Sequence, residues 1–353
     1  MNVAVNANTH VRVINSRAEA NRRRIEGFLA DEGGSLFHRP SWLQAVEKGT
    51  GQRATGFVSE RLGIITGWLP LTEVRSALFG KALVSSGFGI GGGIIAQSAD
   101  AAEALARAAQ GHARAGGFRT IELRGGFAPA GWDVWSDKHC GFIRPLAADD
   151  EAELLAIPRK ARAEVRKGLS YGHRVTVGRR PSDRAAHYAC YSQSVRNLGT
   201  PVFPRALFAA MLDAFPDTSD ILTVWQGDRP LASVLNFYHD GAVMPFWGGG
   251  VHAARAARAN DVMYYELMRH ARNRGMTRFD FGRSKTGSGP FAFKKNWGFE
   301  PTPLTYAGWT APGEPARNID PTDASYSRKI GIWKKLPMPV ANTLGPWIAR
   351  GLA

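Results

Sequence analysis

The chain rhymes with itself. Shifted by 158 positions, His112-Ala113-Arg114 falls on His270-Ala271-Arg272, Gly117 on Gly275, Ile121-Glu122-Leu123 on Phe279-Asp280-Phe281, Gly91-Gly92 on Gly249-Gly250, and Phe88 on Phe246. A period of this size means one supersecondary unit built twice, so the 353 residues should form two similar domains rather than one large core. Each half reads as a glycine turn, an amphipathic helix, a glycine stop and a short strand carrying one acid. Leu105, Ala108, Ala109 and His112 keep the i, i+3, i+4, i+7 spacing of a buried helical stripe, as do Tyr264, Leu267, Met268 and Ala271. Asp100 and Asn260 are the expected N-caps, Gly116 and Gly275 the expected stops. β-rich runs precede each helix: 54–60, 63–74 and 82–86 in the first half, 221–226, 231–239 and 242–247 in the second, the last two joined by the hairpin signal Asp240-Gly241. Strands followed by a helix and another strand give an α/β fold with mixed sheets flanked by helices. The expected division is 1–148, then 149–310 after the Ala147-Ala148-Asp149-Asp150 boundary, then a linker and basic tail over 311–353.

Composition narrows the partners. With 44% apolar and 21% charged residues the chain is neither disordered nor a coiled coil. Lys and Arg number 45, 34 of them Arg, against 30 acids, and the net charge of +15 should attract phosphates, anionic lipid or nucleic acid. Eight of these cations fall between Pro158 and Arg180, on a helix expected to end near Gly168. The two cysteines, Cys140 and Cys190, have no Cys or His at ligand spacing, so no metal site is expected. No apolar run reaches the length of a membrane span, and Met1 to His10 lacks the basic start and apolar core of a signal peptide, which together point to a cytoplasmic protein. From Tyr326 to Ala353 there are five cations and no acid, with Trp333 and Trp347 interleaved. This tail reads first as a helix packed on the body and second as a contact with the inner face of the membrane.

Several catalytic plans are absent: there is no G-x-x-x-x-G-K-[ST] loop and no H-E-x-x-H. Gly87-Phe88-Gly89-Ile90-Gly91-Gly92 opens no helix and reads as a strand-end turn. What stands out is a cluster in the second half: Phe246-Trp247-Gly248-Gly249-Gly250, Asn260-Asp261 opening a helix through Tyr264-Tyr265-Glu266, Phe279-Asp280-Phe281-Gly282-Arg283-Ser284, and Phe291-Ala292-Phe293-Lys294-Lys295-Asn296-Trp297-Gly298-Phe299. With Ser194-Val195-Arg196-Asn197-Leu198-Gly199-Thr200-Pro201-Val202-Phe203-Pro204, these segments resemble the FemAB family, and within it the FemAB-related proteins associated with exosortase/PEP-CTERM systems. The likeness runs from about His38 to the C-terminus.

The resemblance implies two tandem GNAT-like (acetyltransferase-type) domains and transfer of an acyl or aminoacyl group onto an amine of a cell-envelope, peptidoglycan-type or exopolysaccharide precursor. The donor it implies is an aminoacyl-tRNA, with acyl-CoA as the alternative, used as a substrate and not held permanently. A binding module for RNA or an anionic membrane surface is the rival from another class. The long helical hairpin that cell-wall members insert has no counterpart here. In the family the Phe-Lys pair before a turn carries a functional lysine, matched by Phe293-Lys294, and the resemblance gives Lys294 the role of stabilising developing negative charge or the donor's phosphate.

Read as residues, Asp280 alternates with two aromatics and so faces away from them. It could take a proton from the incoming amine, or serve as a structural acid paired with Arg283 or capping a loop, and its repeat partner Glu122 speaks for the structural role. Arg162 and Arg166 share one helix face at i, i+4, a spacing that suits a phosphate or a solvated surface equally. Ser233 and Asn236 form a polar pair in an apolar strand and are candidate pocket residues. Trp247 and Tyr264 are core aromatics first and pocket walls second. Asn260, Arg283, Ser284 and Phe293 complete the candidate substrate-binding set through their motifs. The cleft is expected between the domains, with the second supplying the chemistry and the first a scaffold.

Overall fold

The two repeats fold as two mixed sheets, in a computed structural model that describes residues 9–315 and 324–352. The first runs through β1 (His10–Val13), α1 (Glu19–Asp31), α2 (Pro40–Thr50), β2 (Arg53–Arg61), β3 (Ile64–Ser76), β4 (Gly80–Ser85), β5 (Ile95–Ala96), α3 (Ala99–Gly116), β6 (Thr120–Arg124) and β7 (Asp133–Trp135). The second takes β8 (His139–Pro145), α4 (Asp150–Ala156), α5 (Arg159–Leu169), β9 (Arg174–Gly178), α6 (Pro181–Leu198), α7 (Arg205–Ala214), β10 (Ser219–Gln226) and β11 (Arg229–His239). It continues with β12 (Ala242–Gly250), α8 (Ala259–Asn273), β13 (Arg278–Asp280), β14 (Ser284–Lys285), α9 (Gly289–Asn296) and β15 (Pro301–Pro303). The chain then returns to the first sheet as β16 (Tyr306–Thr310) and ends in α10 (Ala324–Lys335) and α11 (Met338–Ala349). Residues 316–323, part of the expected linker, and the side chains of 324–329 in the tail lie outside the described residues.

The strand orders correspond. Sheet one is β1-β2-β3-β4-β6-β16-β7 with β5 beside β3, and sheet two is β9-β10-β11-β12-β13-β8-β14 with β15 also on β8. Each contains one parallel pair, β4 with β6 and β12 with β13, among antiparallel neighbours. A parallel pair demands a crossover, and the crossovers are the repeated helices α3 and α8. Asp240 and Gly241 sit at φ 46° and 68°, the left-handed backbone that a two-residue hairpin between β11 and β12 requires.

The compact units are not consecutive in sequence. One holds the chain to Ser136, the stretch from Leu304 that includes β16, and the last residues from Arg350; the other holds Asp137–Pro303 and the C-terminal helices. The expected division at 148 assigned β8 to the first half and that at 310 assigned β16 to the second. Ladder pairing decides otherwise: β8 joins β13 through Arg144↔Phe279, and β16 joins β6 through Trp309↔Ile121.

In both units the crossover helix buries its stripe on the sheet: Leu105 and Ala109 with Leu71 and Ile121, and Leu267, Met268 and Ala271 with Val234 and Phe279. The caps differ from those expected. Ser98 Oγ, not Asp100, accepts the Ala101 N–H at 3.2 Å, and α8 starts after Arg258 at φ 55° rather than at Asn260. Gly117 (φ 65°), not Gly116, ends α3, because left-handed backbone is needed one residue later.

The repeated histidines dock the helices. His112 Nε2 meets buried Glu73 on β3 at 3.0 Å, and His270 Nε2 meets buried Asp220 on β10 at 3.1 Å. Burial pushes the Asp220 carboxyl up, but hydrogen bonds from His270, Asn236 and Tyr238 outweigh it and hold it below the usual carboxylate range. Asp220→Ala strands those donors and should lower the unfolding free energy by about 3 kcal/mol, read by urea denaturation. A loss below about 1 kcal/mol would mean that apolar contact alone seats α8.

Candidate active site

Parallel strands β12 and β13 pair only through Ala242↔Arg278 and Val243↔Phe279. Past that point β12 carries a bulge: opposite β11 the register slips so that Leu235 faces Trp247 and Asn236 faces Pro245, leaving Phe246 as the extra residue. The bulge bends β12, which runs on to Gly250 away from β13 after those two pairs. The carboxyl ends of diverging parallel strands are where open α/β sheets place ligands.

Two short segments build the floor there. β13 ends at Asp280, whose Oδ1 accepts the Gly282 N–H at 2.9 Å, and Gly282 (φ 69°) allows the chain to reverse sharply. The turn aims the carbonyls of Gly282 and Arg283 at one point, and Lys294 Nζ donates to both, at 3.2 and 3.0 Å. Lys294 is carried by α9, which starts with Ser288 Oγ accepting the Phe291 N–H at 3.3 Å. Its side chain is 8% exposed and its ammonium lies 5.3 and 5.4 Å from the ring centres of Phe142 and Phe281. Lys295, the next residue, is exposed.

Burial lowers the Lys294 ammonium to a pKa of about 8; Asp280 opposes that fall and Arg283 adds to it. Asp280 is pushed up by burial, partly offset by the Gly282 N–H and by the charges of Lys294 and Arg278. An acid with a raised pKa near an amine with a lowered one marks a candidate proton-transfer site. Tyr264 closes the wall, with its ring 4.6 Å from Phe281 and 5.8 Å from Phe293.

The structure thus gathers Asp280, Arg283, Phe293, Lys294 and Tyr264. Asn260 lies one turn before Tyr264 on the same helix face and covers the end of β12, where a Cβ on Gly250 would come within 2.7 Å of its Oδ1. That oxygen is buried with no hydrogen-bond partner, as is Ser284 Oγ on β14. Other candidates fall elsewhere. Ser233 and Asn236 are fully buried and bonded inside the sheet: Ser233 Oγ pairs with Thr223 Oγ1 at 2.8 Å, and Asn236 Nδ2 donates to Asp220 at 3.0 Å. Ser233 is thereby satisfied inside the strand pair, whereas Asn236 Oδ1 is left buried with no hydrogen-bond partner. Trp247 is core, packed on Phe208 and Phe246. Arg162 donates to the Leu155 carbonyl at 3.2 Å, and Arg166 is exposed on the same flank of α5; neither bonds to Lys294 or Asp280.

Asp261 escaped the sequence reading of the site. Burial, with Glu164 nearby, raises its pKa to about 6, and the Trp297 side chain hydrogen-bonds to it. Its only signal was an acid in the first turn of α8. A hollow lined by Tyr188, Ser192, Arg205, Arg229 and Asn342 contains none of these residues.

Residues 158–295 match the family model of the acetyltransferase (GNAT) domain, from the start of α5 into α9. No curated protein matches the sequence. Among solved structures the chain is similar to FemX (16% identity, TM-score 0.64, covering 86% of this chain and 97% of that one). It is similar also to the tandem GNAT protein from the clavulanic acid biosynthesis pathway (12%, 0.57, 88% and 100%). A third is the C-terminal domain of an Agrobacterium fabrum protein described as a lysylphosphatidylglycerol synthetase (13%, 0.55, 82% and 91%). At such identities the likeness is one of fold: two GNAT-like domains in tandem.

The buried ammonium has a thermodynamic signature. Folded Lys294 loses its proton near pH 8 and the unfolded side chain near 10.5, so between these values the unfolded chain binds more protons and stability rises with pH. At ~1.4 kcal/mol per unit the gain is roughly 3 kcal/mol. Lys294→Met should lack it, as denaturant unfolding of both proteins at pH 7.5 and 10.5 will read; parallel pH dependences would mean Lys294 is solvated.

Proposed function

We propose that the chain is an acyl- or aminoacyltransferase of FemAB type that forms an amide bond on an amine of an envelope or exopolysaccharide precursor. The observation that carries this reading is the Lys294 ammonium, withdrawn from water and held by two backbone carbonyls beside Asp280 where β12 and β13 diverge. The GNAT match over residues 158–295 supports the reaction class, and the motif likeness to exosortase-associated proteins supports the choice of acceptor.

The acceptor nitrogen attacks the carbonyl carbon of an ester or thioester donor. A C–N bond forms, the carbonyl oxygen takes up negative charge, and collapse breaks the C–O or C–S bond while the amine proton passes to the leaving group. The anion needs a donor already aimed at it, in a site poor in water, because reorganising solvent would raise the barrier. Lys294 supplies that positive charge, and its third N–H is the one directed at substrate. Asp280, with its raised pKa, accepts the amine proton directly or through water. The donor is an aminoacyl-tRNA or an acyl-CoA. Binding of tRNA would weaken steeply with salt, since many phosphates release counterions, and binding of CoA only slightly.

Turnover by the purified protein, assayed with both donors against amine acceptors, is expected to fall by about 10² to 10³ in Lys294→Ala with the fold intact. Because the ammonium is the working form, wild-type kcat should decline as pH rises through about 8. Lys294→Arg should keep partial activity and lose that decline. Unchanged turnover in Lys294→Ala would remove the assignment.

A further inference from the structure

The last helix of the chain is packed inside out. α11 reads Met-Pro-Val-Ala-Asn-Thr-Leu-Gly-Pro-Trp-Ile-Ala and contains no charged residue. A surface helix ordinarily turns its large apolar side chains to the core and its polar ones to water. Here the buried positions are the small ones, Ala341, Gly345 and Ala349, four residues apart along one face. Gly345 is needed there, since a Cβ would meet Val202 Cγ1 at 2.9 Å. The opposite face presents Val340 (41% exposed), Leu344 (46%) and Trp347 (51%) at i, i+4 and i+7, and Ile332 on α10 is 60% exposed. Thr343, the polar residue among them, turns its hydroxyl back to the Pro339 carbonyl at 2.9 Å.

Cations bracket this apolar ridge. Lys334 and Lys335 are exposed just before it and Arg350 just after it, and no acid occurs from Tyr326 to the end of the chain. We infer that α11 is an interfacial helix that lays Val340, Leu344 and Trp347 into the surface of an anionic lipid bilayer while Lys334, Lys335 and Arg350 reach its headgroups. The occupant follows from the chemistry of the face. A protein partner would find three scattered apolar side chains and little to hydrogen-bond. A bilayer rewards shallow apolar side chains, an indole at the headgroup level and flanking cations that snorkel outward. No described helix is long and apolar enough to cross a membrane, so the helix lies on the surface. The inference is independent of the reaction proposed above, and its test needs no substrate.

Full-length protein should co-sediment with vesicles of equimolar phosphatidylglycerol and phosphatidylcholine and much less with phosphatidylcholine alone. The triple variant Val340→Ser, Leu344→Ser, Trp347→Ser, altered only at exposed positions, should keep its thermal unfolding curve and bind at least about tenfold more weakly. Lys334→Gln with Lys335→Gln should weaken binding by about tenfold as well. Lipids brominated in their acyl chains should quench part of the tryptophan emission, and that part should vanish in Trp347→Phe. Equal binding to neutral vesicles, no loss in the triple variant, or no change in quenching would each overturn the inference. So would a mass in lipid-free solution that doubles with concentration and returns to one chain in the triple variant, since a second copy would then be the cover.

Discussion

Each sheet is organised by one parallel strand pair set among antiparallel neighbours. Parallel neighbours cannot be joined by a hairpin, so a helix must cross the sheet between them, and this places α3 and α8. The helix must then be fixed in rotation as well as position. Apolar contact is tolerant of small slips; a buried carboxylate that needs the imidazole of His112 or His270 is not. The same pairing also creates the opening, because β12 and β13 share only two residue pairs before the bulge turns β12 aside.

The two copies have put that common plan to different uses. In the second, Asp280 is answered by the backbone of Gly282, and the turn that follows delivers two carbonyls to a lysine from another helix. In the first, the matching acid Glu122 is answered by Arg124, two residues on, a guanidinium 5% exposed that also donates to the Gly89 carbonyl at 2.8 Å. An arginine shared between a carboxylate and the glycine turn after β4 braces that corner. The acid of the first unit thus ends in a structural ion pair, where that of the second lies near a buried ammonium.

Periodicity made the architecture legible. The 158-residue shift marked the helices, the parallel strands and the docking histidines, and β-rich runs marked six strands, five within two residues at each end and β12 three residues short. It could not mark the acids that receive the histidines, because Glu73 and Asp220 come from strands that do not correspond. Nor could it separate Ser233 and Asn236 from a pocket wall: a polar pair inside an apolar strand looks the same whether it faces a ligand or a neighbouring strand's hydroxyl and carboxylate. Local motifs served better for Lys294, Phe293 and Asp280, since a turn of a few residues brings them together. Asp261 was missed because its character comes from burial beside Glu164 and Trp297, a tertiary fact.

The return of β16 to the first sheet has a consequence for how the protein is made. Strand β6 is complete at Arg124, yet its partner across the sheet is supplied by Tyr306–Thr310, about 180 residues later. At ribosomal speeds of about 5–20 residues per second, that interval is on the order of ten seconds or longer. Throughout it the nascent amino-terminal half carries an open strand edge in the middle of what will become a closed ladder, a surface that invites wrong pairing. Shielding by chaperones, or a slow rate of initiation that keeps neighbouring nascent chains apart, is therefore part of what this topology requires of the cell that expresses it.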